Sequence, residues 1–310
     1  MTSTITDPQT PPTHPTMPER PEPNHTQDQT ELNNSIWIIQ INLNKSERAH
    51  LDIINDRVSS KYDIMLIQEP HMTTFNAIQT PANLRPVYPK NRLQNKAQIR
   101  LVIWVNKKLN TKDWIILDIP ETNDITAIQL KGPYRKLSIF NIYNDCTHSR
   151  NKVILNTYIR SNSNIILETD NHHMIWAGDF NRHHPLWDDN KDIHLFTHQA
   201  IRRAEGLIEI MADYNLAMTL LKGIPTLQHM RTKKYSRPDN FFCTEALQEM
   251  ITKCKVDPSS RPTSTDHFPI ITHIQLPQDY INTPPSERQI GTILSASYVS
   301  DYVIQQTCRL

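Results

Sequence analysis

The chain has 310 residues, in which 33 lysines and arginines nearly balance 32 aspartates and glutamates. That length supports one large domain with tails, and the charge balance excludes a global field pulling the protein onto nucleic acid, so any such affinity has to be local. No apolar run approaches the roughly 20 residues that cross a bilayer, and four scattered cysteines without a Cys-x-x-Cys pair favour a reducing compartment over a disulfide framework or a zinc site. The chain reads as soluble and intracellular, with the nucleus as its expected compartment.

Residues 1–33 are crowded with Pro, Thr, Gln and Asn and have almost no large apolar side chains, so they read as a disordered leader that cannot offset its ordering entropy. The expected domain, 34–276, opens with the β-prone run Ile36-Trp37-Ile38-Ile39-Gln40-Ile41. Ser46 then stands as an N-cap before Leu51, Ile53, Ile54 and Val58 at helical spacing. Tyr62–Ile67 is a buried strand, Gln98–Val105 and Trp114–Ile119 are longer strands, and Ile125–Leu130 with Leu137–Tyr143 flank a turn at Lys131-Gly132-Pro133. Val153–Leu167 and Phe196–Ala212 have helical periodicity, and strands are expected at Leu216–Leu221, Asn240–Cys243 and Pro269–Leu276. Residues 277–310 are a polar tail ending in a short, weakly amphipathic segment. Strands interleaved with helices predict an α/β fold, a two-layered β-sandwich flanked by helices whose strand-end loops form one cleft.

Ile175-Trp176-Ala177-Gly178-Asp179-Phe180-Asn181 organises the rest. An apolar run too short for a helix delivers a carboxylate and a carboxamide two residues apart, expected to point the same way, after a glycine that leaves room for a substrate backbone or phosphate. Alone, Gly-Asp-Phe-Asn is as readily a solvated strand-end turn. Its company is ordered along the chain: Gln40-Ile41-Asn42-Leu43-Asn44, Leu66-Ile67-Gln68-Glu69-Pro70, Asn141-Ile142-Tyr143-Asn144, Arg237-Pro238-Asp239-Asn240 and Thr265-Asp266-His267-Phe268 each put polar residues at a strand terminus. Glu69 alone reads as an ordinary surface carboxylate before a turn, though its oxygens are the hard donors that a divalent cation takes.

Taken together, these motifs resemble the endonuclease/exonuclease/phosphatase superfamily over roughly Ile36 to Leu276. The run from Gly-Asp-Phe-Asn into His183-His184-Pro185-Leu186-Trp187 looks most like the apurinic-type endonuclease domains of non-LTR retrotransposons. The resemblance implies the DNase I-like fold. It implies that Asp179 orients or deprotonates the attacking water, that Asn181 donates to the phosphate, and that Asp239 fixes the tautomer of His267, which donates to a phosphate oxygen. Tyr143 matches a phosphate-contacting tyrosine, although the asparagine often found three residues later is here Cys146, for which Asn144 is the expected substitute. Glu69, with Asn42, Asn44 and Asp266, would form the site for magnesium, manganese being the alternative ion. Asn44 stands where several relatives have aspartate, which lowers the charge of that site. A structural role beside Pro185 and Trp187 is expected for His183 and His184, since adjacent residues of an extended chain point apart.

Lys222, Arg231, Lys233, Lys234 and Arg237 lie on a segment that composition alone leaves as readily a solvated charged loop; the resemblance makes it a hairpin beside the site affecting target choice, and they are the expected DNA contacts. Arg85, Lys90, Arg92, Lys96 and Arg100 form a more diffuse basic stretch. The leading reading is a metal-dependent DNA endonuclease that nicks one strand, with DNA as partner, no membrane, and a reverse transcriptase expected elsewhere or lost, since none follows Leu276. The alternatives are another superfamily phosphoesterase acting on RNA or a phosphoinositide, and a catalytically silent remnant of a mobile element that only binds DNA.

Overall fold

The computed structural model describes residues 35–55, 60–93, 99–132, 135–145, 150–167 and 172–275. The leader, the tail, Cys146, Cys308 and Lys96 therefore lie outside the described residues. Two six-stranded mixed sheets form the body. The first is ordered β13 (Ile251–Val256), β14 (Ile270–Gln275), β1 (Ser35–Asn42), β2 (Ile64–Gln68), β4 (Leu101–Asn106), β3 (Leu84–Val87). The second is ordered β5 (Trp114–Leu117), β6 (Ile125–Gly132), β7 (Arg135–Tyr143), β8 (His172–Asp179), β12 (Asp239–Thr244), β9 (Leu216–Met218).

Alternation within the strands explains the layers. Ile36 and Ile38 of β1, with Leu66 of β2 and Ile103 of β4, meet Ile128, Ile139, Ile175 and Phe241 of the second sheet in one buried cluster. The opposite face of the first sheet, Ile39, Ile41, Met65 and Trp104, packs on Ala49 and Ile53 of α1 (Glu47–Asn55). Ser46 caps that helix as expected, accepting from Ala49 N through Oγ at 3.1 Å. The outer face of the second sheet, with Phe140, Trp176 and Phe242, is covered by α2 (Arg150–Ser161) and α4 (His198–Asp213) through Leu155, Ile159, Leu207 and Ile210. The helical run expected to Leu167 is divided between α2 and the short α3 (Ser163–Ile166).

Register brings the motifs to one edge. β1 and β2 are parallel with Asn42 opposite Gln68, and β7 and β8 are parallel with Tyr143 opposite Asp179. β12 runs antiparallel to β8 and begins at that end, Asp239 opposite Asp179. A two-stranded ribbon, β10 (Leu227–Gln228) and β11 (Tyr235–Ser236), stands apart from both sheets.

Gly178 corrects an expectation. It pairs with Ile142 of β7 at φ +146°, and a Cβ built on it would lie 1.9 Å from the Ile142 carbonyl oxygen. The missing side chain makes room for the neighbouring strand rather than for a substrate.

Candidate active site

Asp179 ends β8 and is buried, with 2% of its surface exposed. Its Oδ2 accepts from Asn42 Nδ2 at 2.9 Å and its Oδ1 from the Asn181 N–H at 3.0 Å. Strand alternation stops there: Asn181 has a left-handed backbone (φ 48°), so a turn and not strand periodicity brings it beside Asp179. The Asn181 side-chain amide donates to the Asn144 carbonyl at 3.0 Å, and the Asn144 N–H donates to the Asp179 carbonyl at 2.8 Å.

Opposite Asp179, the buried Asp239 accepts from His267 Nδ1 through Oδ2 at 2.8 Å. A carboxylate there keeps a proton on Nδ1 and leaves Nε2 free to face a ligand. The His267 Nε2 lies 3.8 Å from Asp266 Oδ1, and Asn44 Nδ2 donates to that same oxygen at 3.4 Å. Thr265 locks the loop, donating to the Asn42 carbonyl at 2.8 Å while its hydroxyl accepts from His267 N at 3.3 Å. Ligating atoms of Asp179, Asp239 and His267 lie within 4.8 Å of one another.

The charges of this cluster perturb each other. Burial and the nearby Asp239 push the Asp179 carboxyl up to about 7, against the smaller opposing effects of His267 and the Asn42 amide. Burial alone would depress His267, but the Asp239 charge and hydrogen bond raise it to about 9. Near neutral pH the cluster therefore pairs a cationic imidazole with a carboxyl poised between its two protonation states, the condition for proton transfer at a site. Burial, then the charges of Glu69 and Asp179, raise the Tyr143 hydroxyl far above its ordinary range, so it stays protonated and serves as a donor.

Glu69 follows β2 with a left-handed backbone (φ 45°) and forms an ion pair with Lys45, Nζ to Oε1 at 3.1 Å. Its charge also acts on the Tyr143 hydroxyl, so the second and third motifs reach the same edge. Asn42 presents its Oδ1 to the Asn44 N–H at 2.7 Å. Glu69, Asn42, Asn44 and Asp266 thus supply oxygen-rich side chains around one rim, the donor set that fits a hard divalent cation.

Several supporting residues escape a reading of the motifs alone. Gln40 Nε2 donates to Gln68 Oε1 at 2.9 Å and to Asp239 Oδ1 at 3.0 Å, and Gln68 Nε2 donates to Asn141 Oδ1 at 2.6 Å. This fully buried chain ties the two sheets together directly behind the dyad. Its signal in the sequence is the period of two in β1, which places Gln40 and Asn42 on the inward face with Ile36 and Ile38. Arg100, expected on a basic stretch, instead packs its guanidinium 5.3 Å from the centre of the Tyr143 ring and bonds to Asp124 and Asp145.

The basic segment is indeed a hairpin, β10 to β11, with Lys222, Arg231, Lys233 and Lys234 exposed. Arg237 departs from this set. It is 2% exposed and donates to Asn240 Oδ1 at 3.0 Å, to the Leu220 and Trp187 carbonyls at 2.9 and 3.1 Å, and to the Leu221 carbonyl. Burial lowers its pKa to about 10, and its work is to hold loops, not phosphate. Trp187 is buried, its Nε1–H bonded to the Arg182 carbonyl at 3.0 Å, and the His184 N–H donates to the buried Asp188 at 2.8 Å. A cavity of about 460 Å³ beside α2, lined by residues such as Asp118, Arg150 and Tyr158, shares no residue with the cluster.

Residues 137–271 match the family described as endonuclease-reverse transcriptase. The fold is similar to the endonuclease domain of TRAS1, a telomere-specific non-LTR retrotransposon, at TM-score 0.59 and 20% identity, covering 78% of this chain and 99% of that one. It is similar to the AP endonuclease LMAP from Leishmania major at TM-score 0.60 and 13% identity, over 82% and 92% of the two chains. An AP endonuclease from Archaeoglobus fulgidus gives 0.54 and 16%, over 76% and 98%. Comparison with curated proteins gives no match. No helix among the described residues is long and apolar enough to cross a membrane. The family match over the segment that carries four of the six motifs, together with the shared fold, bears out the resemblance of this chain to the endonuclease/exonuclease/phosphatase superfamily.

Proposed function

We propose that the protein is a magnesium-dependent DNA endonuclease of the retrotransposon target-site type, which hydrolyses one phosphodiester of a duplex and leaves a nick. The observation that carries this reading is the convergence of Asp179 with the Asp239–His267 dyad at the strand ends, braced by Asn42 and a buried amide chain. The likeness to nucleases supports it further.

A phosphodiester resists attack because its non-bridging oxygens are anionic. Glu69, Asn42, Asn44 and Asp266 would hold the divalent ion, which when bound offsets that charge. Ionised Asp179 orients a water and takes its proton as the water oxygen attacks phosphorus, the bond from phosphorus to the 3′ oxygen breaks, and that oxygen leaves as a hydroxyl by taking a proton from solvent water. His267, cationic because of Asp239, donates from Nε2 to a phosphate oxygen as charge builds there. Asn181 and Tyr143 are neutral donors on the same rim, so they add hydrogen bonds without neutralising the base. The exposed lysines and arginine of the β10–β11 hairpin supply phosphate contacts for duplex DNA, which favours a polynucleotide over a phosphoinositide headgroup.

Nicking of a supercoiled plasmid tests the reading, with phosphate release from phosphoinositide vesicles as the contrasting arm. Glu69→Gln should reduce magnesium-dependent nicking by about 10²-fold or more while leaving duplex binding in place. Undiminished nicking by that variant overturns the metal assignment, and turnover of the lipid alone overturns the substrate.

A further inference from the structure

Lys45 lies beside Glu69 of the proposed metal site in an unfavourable backbone. The turn after β1 has two successive left-handed residues, Asn44 (φ 52°) and Lys45 (φ 55°), and it faces a third, Glu69 (φ 45°). The Lys45 N–H donates to the Glu69 carbonyl at 2.8 Å, and the Lys45 ammonium lies 3.1 Å from Glu69 Oε1. Glycine adopts this conformation without penalty, and asparagine tolerates it, but a lysine is strained there. The ion pair does not account for the choice as a matter of stability. The Lys45 side chain is 50% exposed and that of Glu69 11%, so the pair returns at most about 1 kcal/mol, no more than the strain costs. The turn therefore places a cation, at a stability cost, on the carboxylate that the metal reading needs.

Resting on that reading, we propose that Lys45 is a phosphate-binding residue parked on Glu69. Its ammonium competes with the divalent ion for the carboxylate, and when the carboxylate is taken it is released to a phosphate of the bound strand. The half-exposed, unbranched stem allows this exchange by rotation about side-chain bonds alone. With a carboxamide at Asn44, Glu69 and Asp266 are the two acidic ligands of the set, so a competing monovalent cation has more effect on ion affinity than it would at a more acidic site.

The test uses the full chain with Mn²⁺ as probe, its binding titrated by calorimetry in the wild type, Lys45→Gly, Lys45→Met and Glu69→Gln. Lys45→Gly suits the backbone at φ 55° and so guards against misfolding. Removing the competitor should tighten Mn²⁺ binding about three- to fivefold, the order of what a half-exposed pair is worth. Duplex binding is measured alongside in an Asp179→Asn background across a salt series. With Mn²⁺, both Lys45 variants should lose about one unit of log-log salt slope; without it, the slope should not change. Unchanged Mn²⁺ affinity, or a slope indifferent to Lys45 with Mn²⁺ present, overturns the role of Lys45 alone. Mn²⁺ bound equally well by Glu69→Gln and the wild type overturns the metal reading and this inference together.

Discussion

Asp239→Asn removes the one charge that Asp179 and His267 both feel, and its effect is visible in stability before any substrate is added. His267 stands at about 9 in the folded protein against an ordinary 6.5. The native state therefore binds that proton more tightly than the unfolded chain. Its contribution is complete below pH 6.5 and is lost as pH rises through about 9, because stability falls with pH wherever the native state holds the extra proton. At about 1.4 kcal/mol per pH unit across that gap, the loss approaches roughly 3 kcal/mol, without a discount for solvent screening since the imidazole is 6% exposed. Asp179 acts in the same direction at lower pH. Its carboxyl, raised to about 7 from 3.8, makes its ionisation unfavourable to folding between those values. His50, His184 and His273 are all lowered, chiefly by burial, so above about pH 7 they are neutral in both states and silent.

In the variant the carboxamide nitrogen can face His267 Nδ1, which then accepts and leaves the imidazole neutral, and Asp179 loses the neighbour that raised it. Urea unfolding at constant ionic strength from about pH 6.5 to about pH 9 reads this directly. The wild type should lose up to roughly 3 kcal/mol over that range and the variant less than about 1 kcal/mol. The pH profile of nicking should move with it: the acid limb, set by Asp179 near 7 in the wild type, and the alkaline limb, set by His267 near 9, should both shift to lower pH. A variant whose stability falls with pH as steeply as the wild type refutes Asp239 as the source of the His267 shift.

Gly178→Ala should cost about 3 kcal/mol or more, or prevent folding, because the new Cβ meets the Ile142 carbonyl and φ is +146°; a melting temperature within a few degrees of the wild type contradicts it. Lys233→Ala with Lys234→Ala should weaken duplex binding and reduce the log-log salt slope by up to roughly two units, while the single-turnover rate of bound DNA holds. Arg237→Met should do the reverse, lowering unfolding free energy by about 3 kcal/mol through three unpaired carbonyls and an unpaired Asn240 while leaving the salt slope alone. Equal salt slopes for the double-lysine variant and the wild type, or a reduced slope for Arg237→Met, would reverse those two assignments.

What the sequence made legible was the inward, strand-ending chemistry. An apolar run that ends on Asn42 or Asp179 has one direction in which to place that residue, and register did the rest, whereas Glu69 follows the end of β2 on a left-handed turn. Edge strands were harder to read, for a physical reason. β3 contains Pro86 and β13 alternates Lys253 and Lys255 with apolar residues, the devices by which exposed edges resist further pairing, so each looks less like a strand than it is. The run expected from Leu216 to Leu221 pairs only as far as Met218. Beyond it, the Leu220 and Leu221 carbonyls are taken by Arg237. Arg237 shows the limit of composition: an arginine beside lysines reads as surface, and only the carbonyls that surround it in space say otherwise.

The hairpin also undoes a separation that the linear sequence invites, between a segment that chooses the target and residues that do the chemistry. The root of the hairpin is part of the dyad's scaffold. Gln228 N–H donates to the Asp266 carbonyl at 2.9 Å, Phe268 N–H to the Thr226 carbonyl at 2.7 Å, and Leu227 bridges to His267. Thr226, fully buried, accepts through its hydroxyl from the Asp239 N–H at 3.1 Å, so the same residue touches the chain on both sides of the Asp239–His267 bond. Tyr235 stacks on Phe268, and Arg261 lies over the Phe268 ring at 4.9 Å. The hairpin root is therefore hydrogen-bonded to the loop that carries His267, whereas Asp179 is held from the other side by Asn42 and the turn at Asn181. Changes at the tip and changes at the root belong to different classes for that reason: the exposed tip makes none of these bonds, whereas a shift of the root moves the backbone on either side of the His267 imidazole.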